Sequence, residues 1–285
     1  MQAETRDIPQ ATVRGQIAEE MSMKFQEVMQ QFAADAADER LIEVPEHWGQ
    51  GRAVFGGMAA ALALAHLQGA IPDGIPLRSV SVSFVAPLNS GEAVVRRKIL
   101  RQGKSVVQAQ VEIEQAGQVV LAALASFGAA RQSQLQVPAQ PAPEWPHRGM
   151  QLPDSDLAPE FTRHFDYRIQ QGNAPFSGGN SRTLGGAIRF RGEFAAAVGV
   201  PELLALVDAW PPVSLGLMQG PAPASSLTWT LELLPQSTAF SGSDWWAYLA
   251  NIEHGADGYH HIEAKCWAPD GSLIAISRQT VTVFA

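Results

Sequence analysis

The stretch RAVFGGMAAALALAHLQGA, residues 52–70, opens on a glycine pair and then runs from Met58 to Leu67 with His66 as its one polar side chain. Alanine and leucine are strong helix formers, so the run is expected to be helical. A helix with no polar stripe must be enclosed by other structure. Its apolar part, residues 53–67, falls short of the roughly 20 residues a membrane span requires and is interrupted by Gly56, Gly57 and His66. The stretch therefore predicts a buried helix, small enough in its alanines to be approached closely by a surrounding sheet.

The segments that follow supply the sheet. SVSVSFVAPL (79–88) alternates small polar and apolar residues, and EAVVRRKILRQG (92–103), KSVVQAQVEIEQAG (104–117) and QVVLAALASFGA (118–129) continue with β-branched content. Only short turns separate them, which predicts an antiparallel meander rather than parallel strands with helical crossovers. DERLIEVPEHW (38–48) reads as one more strand leading in. From residue 131 to 160 the chain is rich in proline and has no period, the mark of a linker. Beyond it the same order returns: a strand in GGAIRFRGE (185–193), a helix in GVPELLALVDAW (199–210), then four strand-like segments to the end. The hairpin EQAGQVVLAALA (114–125) matches WAPDGSLIAISRQ (267–279) well enough to be a second copy. The chain divides into a helical lead-in (1–40), a first unit (41–130), the linker (131–160) and a second unit (161–285). The expected class is α+β, built as an internal duplication of one helix wrapped by an antiparallel sheet.

Bulk properties exclude several functions. With 20 Lys and Arg against 28 Asp and Glu, the net charge is −8 without a basic cluster, so no nucleic-acid partner is expected. The single Cys266 excludes an internal disulfide and a multi-cysteine zinc site, and it suits a reducing compartment as a small buried apolar residue. The opening residues are mixed in charge and lack the apolar core of a signal peptide, so the cytoplasm is the expected location. His260 and His261 are adjacent on an expected strand and so face opposite ways, against a shared metal. The glycine-rich FSGGNSRTLGG (176–186) lacks the lysine of a phosphate loop, and no Gly-x-Ser-x-Gly elbow occurs.

GRAVFGGMAAALALA, SVSFVAPLNSGE, QGKSVVQAQVEIEQAGQVVLAALASF and DGSLIAISRQTVTVF, in this order and duplicated, resemble the acyl-CoA thioesterase II family of double-hotdog proteins. The resemblance runs from about residue 41 to the end apart from the linker. It implies hydrolysis of an acyl-CoA thioester to free CoA and a carboxylic acid, by a water held between an aspartate, a hydroxyl and a glutamine of the second unit. Those positions match Asp208, Ser226 and Gln279 here, with Ser225 and Thr228 as neighbouring hydroxyls. No cofactor and no metal are expected, and exposed sheet edges are expected to pair chains into a homo-oligomer, a dimer or higher.

The chemistry of these residue types agrees. A carboxylate set into an apolar helix is desolvated, which raises its pKa toward that of a working base. A hydroxyl and an amide can orient one water. Gly56 and Gly57 leave backbone N–H groups uncovered at a helix start, donors suited to an oxyanion, with Gly57 the preferred one. Glycine there also serves close packing. For the phosphates of CoA, Arg52, Lys104 and Arg278 are candidates by position. A non-catalytic acyl-CoA or lipid binder, and an acyl-thioester hydratase or dehydratase, are the competing functions. The latter needs a histidine partner that the sequence near Asp208 does not supply.

Overall fold

The computed structural model describes residues 24–32, 37–145, 149–152, 154–156, 158–194, 196–235 and 238–284. The first 23 residues of the expected helical lead-in lie outside them. Within the rest of the lead-in, α1 (Phe25–Gln30) buries Phe25 and Val28. After β1 (Glu39–Val44) and a small hairpin of β2 (Gly49–Gln50) and β3 (Ala53–Val54) comes α2 (Gly56–Gln68), the helix of the opening stretch. Four strands follow: β4 (Leu77–Phe84), β5 (Gly91–Gln102), β6 (Val106–Gln115) and β7 (Gln118–Gly128). The second unit carries β8 (Met150–Gln151), β9 (Phe165–Gln171), β10 (Thr183–Phe190), α3 (Val200–Asp208) and α4 (Val213–Leu217). It closes with β11 (Ala224–Leu233), β12 (Trp246–Ala256), β13 (Tyr259–Trp267) and β14 (Leu273–Val283).

One twelve-stranded antiparallel sheet runs through both units, in the order β1-β5-β6-β7-β4-β11-β14-β13-β12-β10-β9-β8. The order β1-β5-β6-β7-β4 is repeated in reverse as β11-β14-β13-β12-β10, and β4 pairs with β11 at the join. The fold is a double hotdog. Each unit wraps its sheet around one helix, and α2 and α3 also pack against each other, so the first helix has a helical neighbour as well as the expected sheet. Every residue of α2 from Gly57 to Leu64, with His66 and Leu67, is buried. That enclosure explains why the helix carries no polar side. At roughly 2 kcal/mol for each large apolar side chain removed from water, Leu62, Leu64 and Leu67 anchor it.

The two units share a defect that fixes their correspondence. In β4 the pairing with β7 slips between Leu77, opposite Phe127, and Ser79, opposite Ser126, so Arg78 is extra. In β11 the pairing with β14 slips between Ser226, opposite Val281, and Thr228, opposite Thr280, so Leu227 is extra. A bulge of this kind re-aims the side chains beyond it. Counting on from it in both units, Val80 with Ala125 corresponds to Trp229 with Gln279, and Leu77 corresponds to Ser226.

The stretch read as a linker is strapped to the second unit. Trp267 Nε1 donates to the Gln140 carbonyl at 2.9 Å, and Lys265 Nζ donates to Gln140 Oε1 at 2.8 Å. Its end supplies β8, which pairs with β9. Residues 176–182 of the glycine-rich segment form a loop, and Thr183 to Gly186 open β10.

Candidate active site

Asp208 closes α3, and its side chain crosses to the start of α2 in the other unit. α2 begins without a side-chain cap and without an acid in its first turn. Its bonding pattern begins with the Met58 N–H, which donates to the Phe55 carbonyl at 3.1 Å, leaving the N–H groups of Gly56 and Gly57 outside the helical ladder. The partly buried Asp208 carboxylate lies against these two residues. Its Oδ1 accepts a 2.6 Å hydrogen bond from Gln279 Nε2, and the Gly57 backbone N–H interacts with the same carboxylate. A methyl at Gly56 would come within 2.8 Å of Asp208 Oδ2. Glycine is therefore required at position 56 for the carboxylate to sit where it does.

The electrostatics follow from that placement. Desolvation pushes the Asp208 carboxyl up to about 6, and the Gln279 and Gly57 donors act against it by favouring the ionised form. The positive end of the α2 dipole helps the donors. Tyr167 and Tyr248, both buried, have their phenols held above the usual range, first by burial. Tyr167 donates to the Ala209 carbonyl at 3.0 Å, and the Trp210 ring stacks on Tyr248 at 4.9 Å. These contacts fix the chain just after Asp208.

On the facing side, an aromatic brace positions the start of α2. Trp48 stacks on His164 at 3.7 Å and Phe55 on Phe161 at 4.4 Å, joining the first unit to the second. Burial drives the His164 imidazole down to about 4, so it is neutral in this stack at ordinary pH. A methyl at Gly57 would meet the Phe55 ring at 2.5 Å and the Ala205 Cα at 3.1 Å. Gly57 is thus needed for α2 to lie against α3, a packing role held alongside any role of its N–H.

Ser226 stands beside the Asp208–Gln279 pair. Its strand partner Val281 lies two residues beyond Gln279 on the same inward face, which makes Ser226 a diagonal neighbour of Gln279. The bulge at Leu227 turns Thr228 to the outer face opposite Thr280, and Ser225 is exposed opposite Thr282. Among the three hydroxyls, Ser226 is the one on the site's face. The contacts described for the carboxylate come from Gln279 and Gly57, not from Ser226.

The corresponding positions of the first unit are Leu77 and Ala125, both buried and inert. The start of α3 is closed as well: Pro201 lies in its first turn, and Glu202 Oε2 accepts from the Gly199 N–H at 3.0 Å. Only one of the two symmetry-related positions carries a polar site. Other candidates fall away from it. Arg278 points outward and pairs with Glu263 at 2.6 Å, lining a shallow outer cleft of about 210 Å³ with Thr228, Thr230 and His261. His66 is buried with its ring nitrogen 3.3 Å from the Asp38 carbonyl, and burial raises the Cys266 thiol to about 12, as suits an inert core residue. His261 bonds Thr280 Oγ1 at 3.3 Å. Among the described residues no cluster of His, Cys, Asp or Glu could hold a metal, and no helix is long and apolar enough to cross a membrane.

The sequence profile of the acyl-CoA thioesterase N-terminal domain matches residues 44–128, and that of the acyl-CoA thioesterase C-terminal domain matches residues 135–283. The chain belongs to the acyl-CoA thioesterase family. Within this thioesterase family chain, the C-terminal match holds Asp208, Ser226 and Gln279, and the N-terminal match holds Gly56 and Gly57. No curated protein matches the sequence. Among solved structures, it is similar to a conserved protein with a hot dog fold from Alicyclobacillus acidocaldarius, at 22% identity and a TM-score of 0.79, covering 90% of this chain and 98% of that one. It is also similar to the acyl-CoA thioesterase II TesB2 from Mycobacterium marinum, at 16% identity and a TM-score of 0.70 over 90% and 96% of the two chains. The tesB protein of Mycobacterium avium subs paratuberculosis gives 16% and 0.69 over 92% and 100%. These likenesses establish the fold.

Proposed function

We propose that the protein hydrolyses acyl-CoA thioesters by direct attack of a water held at Asp208. The observation that carries this reading is the placement of the carboxylate: its Oδ1 is tied to Gln279, and its Oδ2 lies beside Gly56 at an uncapped helix start. The anchored oxygen fixes the orientation of the carboxylate and leaves the other to accept a proton. The groups touching it are an amide and a backbone N–H rather than an imidazole, which supports hydrolysis over hydration of an acyl chain.

The step runs as follows. Water, oriented by Asp208 with Gln279 and Ser226, attacks the thioester carbonyl carbon, and its proton passes to Asp208. The carbonyl π electrons move to oxygen, where the N–H groups of Gly57 and Gly56 and the positive end of α2 stabilise the charge. As Asp208 becomes neutral, its hold on the Gly57 N–H weakens while the oxyanion gains charge, so the same positive end serves both anions in turn. Collapse of the tetrahedral intermediate breaks the C–S bond, the thiolate takes the proton from Asp208, and the carboxylic acid and CoA leave.

Release of free CoA thiol from short, medium, long and aromatic acyl-CoAs tests this, with wild type beside Asp208→Asn. Turnover on at least one member, lowered by roughly 10²-fold or more in the variant, is the expected result. Turnover that survives in Asp208→Asn overturns the assignment of the base.

A further inference from the structure

Phe84 is the last residue of β4, and with Val80 and Val82 it forms the inward row of that strand, while Ser79, Ser81 and Ser83 face outward. Val80 and Val82 are buried and Phe84 is half-buried. The methyl that Gly56 lacks would lie 3.0 Å from Phe84 Cζ and 3.1 Å from Cε1, as well as 2.8 Å from Asp208 Oδ2. The ring edge and the outer carboxylate oxygen therefore converge on one point of the backbone. β4 also neighbours β11, where Ser83 pairs with Thr228 just short of the bulge. The ring accordingly lies on the side of the site where β11 brings Ser226.

A water in contact with Oδ2 and poised to attack has the reacting carbon about 3–3.5 Å from it. The next carbon of the acyl group is one bond further, within reach of Phe84 when the acyl arm lies on the side of the ring. Polarity sorts the two arms of the thioester. The CoA arm carries amides and phosphates that stay hydrated, whereas the acyl arm is apolar and gains from contact with the ring and the Val82–Val80 row behind it.

We propose that Phe84 selects the acyl group at its α-carbon, admitting straight-chain acyl-CoAs and rejecting α-branched ones. The inference rests on the hydrolytic reading for the direction in which the substrate lies. The ring edge lies against the start of α2 at Gly56, so a methyl added on that side has to displace it. A single methyl in a close apolar site changes selectivity by roughly 10–200-fold.

Two measurements separate this selection from the reaction itself. The first is kcat/KM for butyryl-CoA and isobutyryl-CoA with wild type, Phe84→Leu and Phe84→Ala. The second is the dissociation constant of the non-hydrolysable thioether analogue of each acyl group with the same three proteins, their folding checked by thermal unfolding. The expected result is a wild-type preference for the straight chain that shrinks about 10-fold in Phe84→Ala, and less in Phe84→Leu, in both measurements. An unchanged ratio in both variants, with both substrates affected equally, overturns the proposal and leaves Phe84 a packing residue, whether or not turnover is seen. A shifted binding ratio without turnover on either substrate upholds the selection and leaves the hydrolytic reading to stand or fall on the longer and aromatic acyl-CoAs. Failure of both analogues to bind overturns the selection at these acyl groups, while release of CoA from the longer and aromatic acyl-CoAs decides the hydrolytic reading separately.

Discussion

A carboxylate held largely out of water is expensive to maintain, and Asp208 shows where the cost falls. Its folded pKa of about 6 lies above the 3.8 of an unperturbed aspartate. Between those values the folded chain holds a proton that the unfolded chain has lost, so stability falls as pH rises from about 4 to about 6 and stays lower above it. Asp208→Asn removes that titration while keeping an acceptor for Gln279. The variant is expected to be more stable than wild type at pH 7 by roughly 1–3 kcal/mol, seen as a higher melting temperature, with the gain fading toward pH 4. In wild type, kcat/KM should climb through about pH 6 to a plateau as the base ionises, a limb that pH-rate profiles would resolve. Asp208 and Gln279 were legible in the sequence through the family resemblance, supported for Asp208 by its place as an acid in an apolar helix. The partner of the Gly57 N–H was not, since nothing local tells which side chain of a distant helix will meet it. Phe84 was hidden for the opposite reason: an aromatic at the end of an alternating strand looks like ordinary core.

Among the elements, the contact between the start of α2 and the last turn of α3 governs the site. Gly57→Ala would drive a methyl into the Phe55 ring and the Ala205 backbone, and an overpacked junction of this kind typically costs about 1–3 kcal/mol. Gly56→Ala instead confronts Asp208 Oδ2 and Phe84, so its main expected effect is at least a 10-fold fall in kcat/KM. Thermal melts and steady-state rates on the two variants distinguish these outcomes, and the reverse pattern contradicts the division of roles. The strand alternation and short turns made the sheet readable. The choice between Ser226 and Thr228 was not readable, because it depends on the one-residue bulge at Leu227, and regular alternation assigns both to the same face.

For the whole molecule, the duplication was legible in the repeated hairpin, whereas the strapped path of residues 131–145 was not, because proline-rich sequence specifies no partner. The continuous sheet offers two related positions, yet the first unit presents Leu77 and Ala125 and the start of α3 is closed by Pro201 and Glu202. Titration calorimetry with a non-hydrolysable acyl-CoA analogue should give one ligand per chain, and a value of two contradicts the assignment of a single site. The covalent joining of the two units makes this asymmetry heritable. In an assembly of identical subunits each substitution arrives twice, so a residue good for the base and bad for the mirror position is a compromise. Joining the two units in one chain removes that constraint, and each half is free to follow its own history while the shared sheet keeps them in register.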